Sequence, residues 1–280
     1  MKRLCSLIAV VGLMLVTVFP NTSKAYSANA KELAERSVSN YIKAVQTGDI
    51  IEATKWVIDS RFKAIDEQIA EYQDSLSTNP FSKVYLESIV PNSDSSFTAI
   101  LNLVRKDSNE LNKISLPVVN DNGEWKLLIE GTETMSNAVR ERIQIEKKLD
   151  GMNEAIISPL VSVNLGNYEE WLKKADSTYS GKFDMVGSSI GVSGWQYQPG
   201  FSDDRTVVYQ IVDKGFFSDD VKGEKTLTGY YSDEHPSSNS FYITIKITDA
   251  ASAPKGVYLK AKNASSISGV FVKGYIYKNR

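Results

Sequence analysis

The chain has one histidine, His235, in Ser232-Asp233-Glu234-His235-Pro236-Ser237-Ser238, a stretch with the composition of a loop. A Ser-His-Asp relay could draw on His235 and Asp233. Two residues of separation in a loop do not supply the buried orienting bond such a relay needs, and no Gly-x-Ser-x-Gly turn is present. One histidine cannot build a multi-histidine zinc site, and His-Glu-x-x-His is absent. The acid pairs Asp203-Asp204, Asp219-Asp220 and Asp233-Glu234 could offer oxygen to calcium. They lack the spacing of a calcium loop, and adjacent acids point apart, so they read as solvated turns. A glycosidase would need two carboxylates about 5–10 Å apart across a cleft, and no motif nominates a pair. Gly187, Gly191 and Gly194 depart from Gly-x-Gly-x-x-Gly and have no alternating strand-helix pattern around them, so strand ends explain them better than a nucleotide. The sequence thus nominates no catalytic residue, no metal ligand and no cofactor, which weighs against an enzyme.

Aromatic side chains are the remaining signal. Trp195, Tyr197 and Phe201 flank Gln198-Pro199-Gly200, and Phe216-Phe217 and Tyr230-Tyr231 fall near turns. Aromatic faces beside polar loops suit sugar stacking or a protein interface, and they equally build a sandwich core.

Composition sets the class. The 280 residues carry Lys+Arg 32 against Asp+Glu 34, a net charge of −2, with 24% charged and 10% aromatic residues. That balance fits a folded chain of two domains and gives no electrostatic footprint for nucleic acid. Met1-Lys2-Arg3, the uncharged run 4–19, and the small-x-small sites Ser23-Lys24-Ala25 and Ala28-Asn29-Ala30 form the pattern of a secretory signal peptide, 1–25 or as late as 30. An uncleaved anchor is the other reading, though the run is shorter than the roughly 20 residues of a span. Cleavage after Ala25 removes three bases and no acid, taking −2 to −5, and also removes Cys5, the only cysteine. The expected product is secreted or displayed on a bacterial, Gram-positive surface, with no stable membrane span and no disulfide or thiol chemistry.

Elements follow from periodicity. Leu33, Val38, Tyr41, Ile42 and Val45 recur at helical spacing. Thr47-Gly48-Asp49 stops that helix and caps a second, which carries Ile50, Ala53, Trp56 and Val57. A third helix is expected over 61–76, capped by Asp59-Ser60. The period then shortens to strands at 82–90, 96–105, 111–119 and 124–130, the last pair joined through Asn122-Gly123. Helices followed by a meander predict an α+β layer.

The stretch from Ala44 to Val57 (AVQTGDIIEATKWV), a third helix and the hairpin Asn122 to Gly131 (NGEWKLLIEG) together resemble an NTF2-like domain over residues 28–132. The resemblance implies a cone of three helices on a curved antiparallel sheet, with a pocket between them. In enzymatic members an Asp or His in that cone acts as acid or base. No enzyme motif transfers here. Tyr41, Trp56 and Asp59 are the pocket candidates, with Tyr41 and Trp56 as core and Asp59 as a helix cap the competing reading. Pairing of such domains through their sheets implies a homodimer.

Residues 133–158 read as a linking helix with Met135, Val139 and Ile143 on one face. From 159 to 280 the chain is expected to be an all-β sandwich or barrel. Strands are expected at 160–164, 182–186, 190–197, 205–212, 225–231, 241–248, 256–262 and 270–277, with helical turns at 167–175. The reading is a secreted, non-catalytic binding or scaffold protein of the cell envelope, with a small molecule, a cell-wall glycan or an envelope protein as partner. The alternatives are an enzyme using the cone for isomerase- or hydrolase-type acid/base chemistry, and a carbohydrate-binding protein acting through the β half.

Overall fold

The computed structural model describes residues 23–93, 95–150, 163–201, 203–233, 239–247, 253–266 and 269–278. The apolar run 4–19, His235 and most of the expected strand 160–164 lie outside the described residues.

Helix α1 (Ser23–Thr47) buries Ala34, Val38, Tyr41 and Val45 at intervals of three and four, one face of a helix. Gly48 at φ 74° ends it, and Asp49 caps α2 (Ile50–Lys55) by accepting from the Glu52 amide at 3.0 Å. Strand β1 (Val57–Asp59), helix α3 (Ile65–Thr78) and strands β2 (Phe81–Ser93), β3 (Ser96–Arg105), β4 (Leu111–Asp121) and β5 (Glu124–Ile129) follow. The sheet order is β1-β5-β4-β3-β2, with three register shifts along β2 that bend it. Asn122 and Gly123 both take positive φ, the geometry of a two-residue hairpin whose twist matches its strands. Phe97, Leu101, Leu116, Leu127 and their neighbours line the inner face beneath the helices.

Two expectations are corrected here. Val57 leaves the second helix and opens β1, because β5 offers a free edge and Val57 and Ile58 pair in parallel with Leu127 and Leu128. The third helix starts at Ile65, not near Arg61, and its N-cap Ala64 makes no side-chain bond. Asp59 is therefore no cap, and its carboxylate is engaged by Arg61 instead.

Strand β6 (Glu133–Thr134) enters a second sheet, and α4 (Asn137–Asp150) lies against that sheet, with Val139 and Ile143 buried. Strands β7 (Asn164–Leu172), β8 (Ser177–Tyr179), β9 (Ser189–Tyr197), β10 (Arg205–Lys214), β11 (Asp219–Gly229), β12 (Phe241–Lys246), β13 (Tyr258–Asn263) and β14 (Val270–Lys278) complete the chain. They form two sheets, β6-β11-β10-β13-β8 and β12-β9-β14-β7, whose inner faces share one core of Val192, Tyr209, Ile211, Leu259, Val272 and their neighbours. The helical turns expected at 167–175 are strand β7. Its inward residues Tyr168 and Leu172 stand four apart, a spacing that lies on one face of a helix and of a strand alike. No helix among the described residues is long and apolar enough to cross a membrane.

Candidate functional site

The space under α1 and α3, where a pocket would open, is filled by the tip of the β10–β11 hairpin. Phe216 and Phe217, between Gly215 and Ser218, are fully buried and belong to the core of the helix-and-sheet half. The Phe217 ring meets Tyr41 edge-on at 5.3 Å, and Phe216 meets Tyr72 at 5.1 Å. The Tyr41 hydroxyl donates to the Phe216 carbonyl, and the Ser75 hydroxyl to the Lys214 carbonyl at 2.9 Å. The hairpin's backbone is thereby satisfied by groups 139 and 175 residues away in the chain.

Below the rings lies a buried ion network. Arg61 donates Nε and Nη2 to the two Asp59 oxygens at 2.8 and 2.6 Å. Its Nη1 reaches Asp219 at 2.8 Å, and Nη2 also reaches the Gly215 carbonyl at 2.7 Å. The Tyr72 hydroxyl donates to Asp59 at 2.9 Å. Asp219 accepts further bonds from Tyr179 at 2.7 Å and Lys260 at 2.8 Å, while Lys260 spends its other two protons on the Gly131 carbonyl and Glu133. Burial pushes the Asp219 carboxyl up, but the charges of Arg61 and Lys260 and the bonds from Lys260 and Tyr179 outweigh it, holding it below the usual carboxylate range. Burial and neighbouring acids raise Tyr72 and Tyr179 well above an ordinary phenol, so both act as neutral donors.

Asp219-Asp220 is thus no solvated turn. Asp219 is 0% exposed, and Asp220 is bonded by Arg105 at 2.8 Å and Lys222 at 2.6 Å. The acids are buried because the first half supplies Arg61 and Arg105 to meet them.

A cleft of about 870 Å³ remains where the two halves meet, bordered by Lys63, Glu67, Asp176, Tyr179, Lys214 and Tyr258. Burial, then the Arg61 charge, lowers the Lys214 amine below an ordinary lysine. Such an amine is suited to attack a carbonyl, but Phe62, Tyr179 and Tyr258 enclose it, with ring centroids 4.9, 4.2 and 4.2 Å from Nζ. Asp213 of β10 is pushed up to about 6 by burial, with Asp220 and Glu71 adding to the rise and Lys222 and Lys182 opposing it. Ionisation of Asp213 therefore opposes folding, and stability on its account falls as pH rises from about 4 to about 6. Asp213→Asn is expected to be more stable than the parent by about 1–2 kcal/mol at pH 7, after allowance for partial exposure, and equal to it below pH 4. Urea unfolding at the two pH values measures the difference, and an equal gain at both would refute the assignment.

Of the sequence-nominated residues, Tyr41 and Asp59 come together through Tyr72, whose oxygen lies 3.2 Å from that of Tyr41. Trp56 stands apart at the end of α2, half-buried, its indole N–H donating to Glu52 at 2.7 Å. Trp195 and Tyr197 share one face of β9. Tyr197 is buried and donates to Asp233 at 2.7 Å, Trp195 is half-buried, and Phe201 is 54% exposed on the turn beyond, so the three form no common plane. Arg61, Tyr72, Tyr179, Asp219 and Lys260 were not nominated. The one local hint was Phe216-Phe217 in a tight turn, an apolar pair with no core inside its own hairpin.

No protein-family model matches the chain, and neither does any curated protein. Among solved structures, the chain is similar to a Campylobacter jejuni protein provisionally described as an NTF2-like transpeptidase. The identity is 14%, over 36% of this chain and 98% of that one, with a TM-score of 0.25. An NTF2-like superfamily protein from Salmonella enterica matches at 17% identity over 38% of this chain and 87% of that one, with a TM-score of 0.23. A carbohydrate-binding module of the β-sandwich superfamily matches at 8% identity over 66% and 74%, with a TM-score of 0.24.

Proposed function

We propose that this chain is an exported, non-catalytic binding protein of the bacterial cell envelope, in which an NTF2-like half is a scaffold locked onto a β-sandwich that carries the recognition surface. The observation that carries this reading is the occupied cone. Phe216 and Phe217 stand where a substrate would have to enter, and Asp59, the acid of this half bonded by Tyr72, is bound by Arg61 through both oxygens. An acid or base must reach the proton it transfers, and Asp59 faces only partners from its own chain. Export rests on the basic start, the apolar run and the small-residue sites of the first 30 residues. Burial of Ala30 on α1 favours cleavage after Ala25, which leaves that contact in place.

Expression of the full chain in a Gram-positive host tests the reading. The product is expected outside the membrane with its N-terminus at Tyr26, and it is expected to sediment with purified cell walls. A product retained in the cytoplasm with residues 1–25 attached would overturn export, and loss of sedimentation would overturn the binding role.

A further inference from the structure

The outward face of the four-stranded sheet is rich in aromatic side chains. Strand alternation and register place Trp171, Phe271 and Tyr197 in one row across β7, β14 and β9. The next row is Glu169, Lys273 and Trp195, and the one after is Asn167, Tyr275, Ser193 and Tyr242. Among the described residues of these strands, every apolar side chain on this face is aromatic. The aliphatic residues of the same strands, Val192, Val270, Val272 and Ile276 among them, all point into the sandwich. Between the rings lie serine, threonine, asparagine and glycine.

Trp171 and Tyr242 lie against the backbone for a steric reason, while Tyr197 and Phe271 meet edge-on at 67°. A Cβ at Gly269 would collide with the Trp171 indole, and one at Gly191 with the Tyr242 ring, so both glycines seat an aromatic directly on the backbone. Tyr197 and Phe271 pack at 5.5 Å, and Tyr275 and Tyr277 at 6.3 Å. Trp171 and Tyr275 keep 42% and 38% of their surface open. Among the described residues of these strands, the charges in the middle of the face, Glu169 and Lys273, lie 4.0 Å apart and offset each other, Lys246 sits at the end of β12, and Asp233 accepts from Tyr197 at 2.7 Å. A polyanion such as a teichoic polymer would find no cationic patch among the described residues of this face.

We infer that this face binds a neutral β-1,4-linked polysaccharide chain, an inference that rests on the binding role proposed above and names its surface and ligand class. A pyranose ring with equatorial substituents presents a flat array of axial C–H groups, which stack on aromatic faces. Its hydroxyls lie at the ring edge, where the intervening Asn167, Ser193 and Thr244 can meet them. The paired Glu169 and Lys273 leave the centre of the face without net charge, complementary to a chain without charge.

The full chain is incubated with insoluble chitin and with cellulose, beside Trp171→Ala/Tyr275→Ala, two substitutions at exposed positions that leave the core untouched. The parent is expected to be retained on at least one of the two polymers, with retention at least tenfold lower in the double variant at an unchanged unfolding midpoint. Titration of the unaltered chain with a soluble hexasaccharide of the retaining polymer is expected to shift its tryptophan emission, a readout that does not depend on the variant folding. Absence of both retention and shift for the parent overturns the inference, as does retention that the double variant keeps. A parent dimer that the double variant dissociates would assign the face to a second copy instead. Sedimentation with whole walls that survives in the double variant would leave the binding role standing and remove this face from it.

Discussion

Arg61→Ala is expected to lower the unfolding free energy by about 3–5 kcal/mol, the range for removing one partner of a buried, hydrogen-bonded charge pair. Among the described residues the guanidinium is the only cation bonded to Asp59, and it shares Asp219 with Lys260. Alanine leaves two carboxylates in a space that water does not reach, together with an unmet Gly215 carbonyl. The deficit depends on pH. In the parent, Asp219 titrates below the usual range, so its favourable contribution is complete above the ordinary carboxylate pKa and fades only as pH falls through its lower folded value. In the variant that contribution is reduced, with Lys260 and Tyr179 left to Asp219, so the gap between parent and variant is expected to narrow as pH falls toward the folded value of Asp219 in the parent. Urea unfolding at pH 7 and pH 3.5 is expected to show the smaller difference at pH 3.5. A loss under 1 kcal/mol at pH 7 would show that the site is wet and the network peripheral. Arg61→Lys should recover only part of the loss, because one ammonium cannot span both carboxylates and the carbonyl in the same plane.

Phe217→Ala and Phe216→Ala are each expected to cost about 3–5 kcal/mol, since each ring is fully buried and its removal opens a cavity that a tight hairpin cannot collapse into. The two positions adjoin and share Tyr41 and Tyr72 as neighbours, so the double variant should depart from additivity. Its calorimetric trace carries the sharper test. The intact chain is expected to melt in one transition, because the hairpin belongs to the core of one half and the backbone of the other. Without the rings the halves should melt separately, in two transitions. An unchanged single transition would mean that the ion network alone couples them.

What the sequence disclosed, and what it withheld, follows from the range of the forces involved. The stop at Gly48, the cap at Asp49 and the Asn122-Gly123 hairpin were legible because each is settled by backbone geometry within four residues. Tyr41 and Asp59 were pocket candidates through the resemblance, and nothing near either residue told what it touches. Asp219 finds Arg61 across 158 residues, and no pattern near either residue announces the other. Adjacent acids in a turn are usually solvated, and only an opposing pair of arginines reverses that. Strand β7 was missed for a different reason, since an interval of four fits both periodicities and the intervening charged residues suit either. Tyr197 and Trp195 were found as aromatics, while the row they complete with Phe271 and Trp171 needs the strand register.

The hairpin that fills the cone also sets a schedule for assembly. A ribosome making roughly 5–20 residues per second completes the five strands of the first sheet some 4–17 s before Phe216 and Phe217 exist. For that interval the first half has nothing to close its cavity, Asp59 and Arg61 have no Asp219, and Tyr41 has no carbonyl to bond. The contact between Tyr41 and Phe216 spans 175 residues, and the bond from Tyr258 to Glu71 spans 187 and forms only after β13 is made. A chain built this way is poorly suited to folding as it is made.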